Sequence, residues 1–221
     1  RAMEEAEQAD VTLLIIQLDT PGGLLSSTRE ITQHLLEADV PTVVYVSPRG
    51  ARAASAGTFI SAAANFAVMA PGTNIGAASP VGSTGEELPE TLKSKATNDA
   101  AAEMRSIAAA RGRNQEKLEE TVLLAVAFTA EEAVQLRMVD FIAGDLDDLL
   151  VQLHGRETVL HPPDGERVVL DTREVVVYTI QPTLVERFLR FLADPNVSYL
   201  LLSLGSLGLL IELLNPGLVV P

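Results

Sequence analysis

The sequence predicts an α/β fold with parallel strands, and three observations carry the prediction. Residues 11–18 (VTLLIIQL), 41–46 (PTVVYV) and 66–69 (FAVM) are apolar at nearly every position, the mark of strands covered on both faces. Stretches of helical composition separate these runs at short intervals, as crossover helices would. The chain is 47% hydrophobic but only 4% aromatic and has no Trp, so its apolar content is mostly Ala, Leu, Val and Ile.

The elements follow in order. Residues 1–9 read as a helix already under way, without a start Met or signal peptide, so the chain is expected to be a piece of a longer protein. After the first strand, residues 26–38 form a helix with Ile31, Leu35 and Leu36 among polar neighbours. After the second, residues 55–64 form a helix of small residues. Residues 71–94 hold Pro71, Gly72, Gly76, Pro80, Gly82, Gly85 and Pro89 and read as a long irregular loop, suited to a lid or a substrate-binding strand. Residues 95–111 are an Ala-rich helix with a stop at Gly112. Thr129 and Glu132 make a capping box for a helix over 129–137, and a short strand follows at 140–143.

Beyond residue 145 the pattern changes to short β candidates at 157–160, 167–171 and 175–180, separated by turns. Residues 183–193 are amphipathic, with Leu184, Phe188, Leu189, Phe191 and Leu192 against Glu186, Arg187 and Arg190. Residues 197–211 carry no charge, and Gly205 and Gly208 beside Ser203 and Ser206 suit close helix approach in lipid. That uncharged run would rise only ~22 Å as a helix, against a hydrocarbon core of ~30 Å, and reads as the start of a membrane region. The expected division is a main domain over 1–145, a β appendage over 146–182, a juxtamembrane helix over 183–196 and the membrane region over 197–221.

Composition excludes several functions. A net charge of −14 disfavours a nucleic-acid partner, which needs a basic face. The absence of Cys rules out disulfides, thiolate metal sites and a Cys nucleophile. No cofactor or metal is called for.

Residues 52–58 (RAASAGT) wrap Ser55 in small side chains at a loop-to-helix entry. A serine there gains from the helix N-terminus and from the Ala56 N–H. The Gly22-Gly23 turn at the end of the first strand offers further N–H donors without side chains to block an oxyanion. Leu24, Leu25, Ile60 and Phe66 supply an apolar lining for a hydrophobic substrate. The three histidines, His34, His154 and His161, fall away from the region after Ser55 where a base belongs. The lysines are Lys93, Lys95 and Lys117, and two of them flank a helix opening after the long loop. A lysine acts as a base only when neutral, so its free value of ~10.4 must fall towards ~7–8, through burial or a helix N-terminus. Spacing alone does not choose between Lys93 and Lys95.

At these residues the chain resembles the N-terminal protease domain of long-form NfeD proteins, membrane-bound serine proteases of the ClpP class. The matching stretches are LDTPGG at 18–23, ASAGTFI at 54–60, MAPGTNIGAASPV at 69–81, KATN at 95–98, GRN at 112–114, TAEEA at 129–133 and DPNVSYLLLSLGSLGLLIELLNPG at 194–217. The resemblance implies a ClpP/crotonase-like β-superhelix of ββα units and a Ser–Lys dyad of Ser55 and Lys95, where soluble ClpP proteases use Ser–His–Asp. It implies oxyanion donors at Gly22, Gly23 and Ala56. It further implies ATP-independent cleavage of hydrophobic segments in a stomatin-like membrane protein, a homodimer or higher oligomer, and a protease domain on the extracytoplasmic side. Two other readings stand beside it. One is a crotonase-type acyl-CoA enzyme, for which the sequence shows no basic cluster to hold the CoA phosphates; the other is a non-enzymatic scaffold for stomatin-like assemblies.

Overall fold

The computed structural model of the chain describes residues 1–9, 11–82, 89–163 and 165–214. They divide into two units, Arg1–Val175 and Val176–Pro221. The first unit opens with α1 (Ala2–Gln8), β1 (Leu14–Leu18), α2 (Leu25–Leu36), β2 (Thr42–Val46), β3 (Arg52–Ala54), α3 (Ala56–Ala63), β4 (Phe66–Met69) and β5 (Asn74–Gly76). It continues with α4 (Glu90–Ala110), α5 (Gln115–Leu123), β6 (Ala127–Thr129), α6 (Ala130–Gln135), β7 (Phe141–Ile142), α7 (Leu146–Leu153), β8 (Glu157–Val159) and β9 (Arg167–Val169).

The expected parallel sheet is present. Its strands run β1-β2-β4-β7, every pairing parallel, with Leu14 opposite Thr42 and Val43 opposite Phe66. All five residues of β2 are buried because both faces of the sheet are covered. Val44, Val46, Ala67 and Met69 pack with Leu35, Phe59 and Met104 on the face that carries α2, α3 and α4. Val43, Tyr45, Phe66 and Val68 alternate to the other face, against Phe141 and with Leu149 and Leu153 of α7. A strand buried on both sides reads as continuous apolar sequence, which is why these runs show no alternation.

A second sheet, β3-β5-β6, is parallel between β3 and β5 and antiparallel between β5 and β6. Its strands have three residues each, too short for a periodic signal in the sequence. The chain leaving β1 joins the two sheets: Thr20 forms a parallel bridge with Ala53.

Several elements differ from expectation. Residues 71–94 are not one loop, since β5 lies inside the span and α4 starts at Glu90; residues 83–88 of that loop lie outside the described residues. Two unexpected helices, α5 and α7, are each capped by the side chain of the preceding residue. Asn114 accepts from Lys117 N and Asp145 from Asp148 N. The capping box of Thr129 and Glu132 forms at the start of α6. The pair β8-β9 is an antiparallel ribbon, whereas residues 175–180 carry no strand.

In the second unit, α8 (Leu184–Ala193) begins with a capping box of Thr183 and Glu186, and α9 (Pro195–Leu214) follows. Within α9, Asn196–Leu214 is long and apolar enough to cross a membrane by length and composition. A helix of 20 residues rises ~30 Å, so Glu212 near its end does not shorten it as the uncharged run alone suggested. Residues 215–221 lie outside the described residues.

Asn65 ties the first sheet to the β8 ribbon. Its Oδ1 accepts from the Thr42 N–H and the Thr42 hydroxyl, both at 2.9 Å, and its Nδ2 donates to Thr158 Oγ1 and Val159 O. Thr42 is fully buried, so loss of the Asn65 amide leaves an unpaired backbone donor. Asn65→Leu is expected to cost about 2–4 kcal/mol, read as a lower denaturation midpoint at unchanged slope.

Candidate active site

Ser55 occupies the single residue between β3 and α3, at φ 52° and ψ −114°. That backbone is sparsely populated for a residue with a Cβ and costs on the order of 1–3 kcal/mol, so surrounding contacts must hold it. The Ser55 N–H donates to Gly76 O at 3.0 Å, and Ser55 O accepts from the Thr58 N–H at 3.0 Å. The buried Thr58 hydroxyl donates to Ala53 O at 2.9 Å and lies 3.1 Å from Gly76 O. Strands β3 and β5 of the second sheet therefore fix the entry to α3.

The Gly22-Gly23 turn comes to the same place. A Cβ on Gly22 would stand 2.9 Å from Ser55 Cβ and 3.3 Å from Ser55 Oγ, and one on Gly23 would stand 3.5 Å from Ala56 Cβ. Gly22 also has φ +141°, which favours glycine. Its N–H donates to Thr20 Oγ1 at 3.1 Å, and Thr20 Oγ1 donates to Gly22 O at 3.0 Å. The Gly22 N–H is thus occupied, and what Gly22 contributes is the room beside the serine. Among the described residues no acceptor takes the N–H of Gly23 or of Ala56. Gly57 completes the close approach: a Cβ there would stand 2.7 Å from Thr20 Cγ2.

The other sequence candidates divide. Leu24 is exposed at 60% and Leu25 is half-buried at the start of α2. Ile60 is buried within the core around α3. Phe66 is a correction: strand alternation turns it to the sheet face opposite α3, among Val43, Tyr45 and Phe141, so it lines no surface beside Ser55. Lys93 and Lys95 both lie on α4, which packs against α3, and both are exposed. Lys95 was expected in the first turn of the helix over 95–111; since α4 starts at Glu90, it sits in the second turn instead. Among the described residues neither lysine has an ion pair.

The far end of α3 is held by two arginines that the sequence reading missed. Arg113 donates to Ala62 O and Ala64 O and pairs with Asp140 at 2.9 Å. Arg111 donates to Ala63 O, Leu35 O and Val159 O. These guanidiniums satisfy the carbonyls left open at a helix C-terminus and oppose its partial negative charge. Burial, then the neighbouring Arg113 charge, pulls the Arg111 guanidinium down to about 10, where it remains a cation at neutral pH. The available signal was the pair of arginines bracketing Gly112, whose φ of +65° ends α4.

Three comparisons with known proteins bear on this arrangement. Residues 1–161 match the family model described as NfeD1b, N-terminal domain. The chain is 38% identical to "Membrane-bound protease PH1510" of Pyrococcus horikoshii over 98% of its own length and 49% of the relative's. It is 27% identical to "Membrane protein NfeD1b" of Bacillus subtilis, over its full length and 48% of that protein. The chain therefore spans about half the length of these relatives. A solved structure of the 1510-N membrane-bound stomatin-specific protease, a lysine-to-alanine mutant in complex with a substrate peptide, aligns with a TM-score of 0.78. Identity is 34%, and 87% of this chain and 88% of that one are covered. The ClpP1 structure from Listeria monocytogenes aligns with a TM-score of 0.50 at 16% identity, covering 66% and 86%, a likeness of fold alone.

Thr58→Val keeps the shape of the side chain but removes the hydroxyl that fastens α3 to β3 and β5. It is expected to cost about 1–3 kcal/mol in chemical denaturation. Gly76→Ala is expected to cost more, because its Cβ would meet Val126 O at 2.3 Å.

Proposed function

The chain belongs to the NfeD1b N-terminal-domain family, and on that premise we propose that it is the catalytic part of a membrane-anchored, ATP-independent serine endopeptidase with a Ser55–Lys95 dyad. The observation that carries the reading is the Ser55 turn: a strained serine backbone closely approached by Gly22, with the N–H groups of Gly23 and Ala56 unpaired among the described residues. The relative named as a membrane-bound protease supports it. So do the related structures solved as a serine-to-alanine mutant and as a lysine-to-alanine mutant holding a substrate peptide.

In this reading Ser55 Oγ attacks the peptide carbonyl and neutral Lys95 takes its proton. The Gly23 and Ala56 N–H groups hold the developing oxyanion, and Gly22 keeps the space open. Lys95 then returns the proton to the leaving amine. A water deprotonated by Lys95 clears the acyl-enzyme. Leu24 and Leu25 give an apolar lining beside the turn, with Ile60 beneath it, which suits a hydrophobic segment of a stomatin-like membrane protein. The fold is read as the ClpP/crotonase superhelix, with α8 as juxtamembrane helix and α9 entering the bilayer. The working unit is a homodimer or higher oligomer with the protease part extracytoplasmic.

Cleavage of a hydrophobic peptide from a stomatin C-terminus tests the reading. Ser55→Ala and Lys95→Ala are each expected to lose at least about 10³-fold in kcat/KM, while Lys93→Ala stays within a few-fold. Equal cleavage by wild type and Ser55→Ala would refute the mechanism.

A further inference from the structure

Helices α2 and α4 both pack on α3, the helix that starts at Ser55. The Arg29 side chain crosses between them. Arg29 of α2 donates through Nε to Glu103 Oε2 at 2.9 Å and through Nη2 to Asp99 Oδ2, both on α4. The Glu103 bond, then the Asp99 bond, raises the Arg29 guanidinium above its ordinary value, so this is a double anchor on one cation.

Asp99 stands four residues after Lys95. On a helix that spacing puts the two side chains on one face, within reach of an ion pair. A carboxylate paired with Lys95 would hold the ammonium charged and unable to accept a proton. Asp99 is instead turned to Arg29. The surrounding elements offer Lys95 no other close counter-charge among the described residues. The sequence of α3 (AGTFISAA) has no ionisable side chain. On α5, Glu119 is taken by Arg105 and Glu120 by Lys117; Glu116 is on the first turn of that helix. On α4 itself, Glu103 is held by Arg29, Glu90 is five residues before Lys95, and Lys93 carries the same charge as Lys95. On α2, Glu30 follows Arg29 and His34 lies in the last turn.

We propose that Arg29 is a positioning residue that withdraws the Asp99 carboxylate from Lys95 while clamping α4 across the serine helix to α2. The inference rests on the Ser55–Lys95 reading. It adds that the base depends on an arginine that touches neither substrate nor serine.

The test is the pH profile of kcat/KM for peptide cleavage by the whole chain, in wild type, Arg29→Gln, Asp99→Asn and the double variant, with Lys95→Ala alongside. Arg29→Gln frees Asp99 to pair with Lys95. Its acid limb is expected to move up by about half a pH unit, roughly a threefold loss below the optimum. Adding Asp99→Asn is expected to restore the wild-type limb to within twofold, which repair of a merely structural defect would not do. An unshifted Arg29→Gln profile, or a loss that Asp99→Asn leaves in place, overturns the inference while an inactive Lys95→Ala leaves the dyad standing. Wild-type cleavage by Lys95→Ala overturns the dyad and this inference together.

Discussion

The hydrogen bond from the Ser55 N–H to Gly76 O is the contact on which the site depends. A non-glycine residue at φ 52° and ψ −114° relaxes unless something outside its own turn holds it. Here the holder is a short second sheet. Gly76 ends β5, accepts from Ser55 and lies near the Thr58 hydroxyl, and lies so close to Val126 and Ala127 that no side chain fits. Strain at the serine is therefore transmitted into backbone contacts between β5 and the start of β6. The result is a serine at a tight turn, next to a glycine pair that leaves room beside it; among the described residues the Gly23 and Ala56 N–H groups have no acceptor, and the proposed acyl transfer uses them.

The rear of the same helix is fixed with comparable care. α3 is eight residues long, too short to be stable alone, and its sequence supplies no charged residue to cap either end. Arg111 and Arg113 reach its carbonyls from the C-terminal end of α4, and Asp140 joins that network to the Ala67 N–H of β4. The helix is thus gripped at its C-terminus by buried cations and at its N-terminus by Thr58. Motion that would displace Ser55 must break one set or the other.

The large sheet was legible because burial on both faces writes itself into consecutive apolar residues. The Gly22-Gly23 turn and Ser55 were legible for another reason: close backbone approach demands small side chains, and glycine and alanine leave a visible gap in the sequence. The second sheet was not, since three-residue strands such as Asn74–Gly76 have no period to detect. The start of α4 was hidden by Pro80, Gly85 and Pro89, whose turn character outweighed the helix-forming residues after Glu90. Phe66 was assigned to the wrong face because an apolar strand covered on both sides does not show which way each residue points. Arg111 and Arg113 escaped notice because charge in sequence suggests solvent, whereas here it satisfies helix carbonyls in the interior.

The central claim is that the Ser55 hydroxyl becomes acylated. It is tested most directly by acid-quenching the chain during turnover of a slowly deacylating ester of a hydrophobic peptide, followed by peptide mapping in a mass spectrometer. The account predicts the acyl mass on the peptide containing Ser55, absent when the chain is unfolded before the ester is added. Turnover with no acyl adduct, or with the adduct on another side chain, would contradict it.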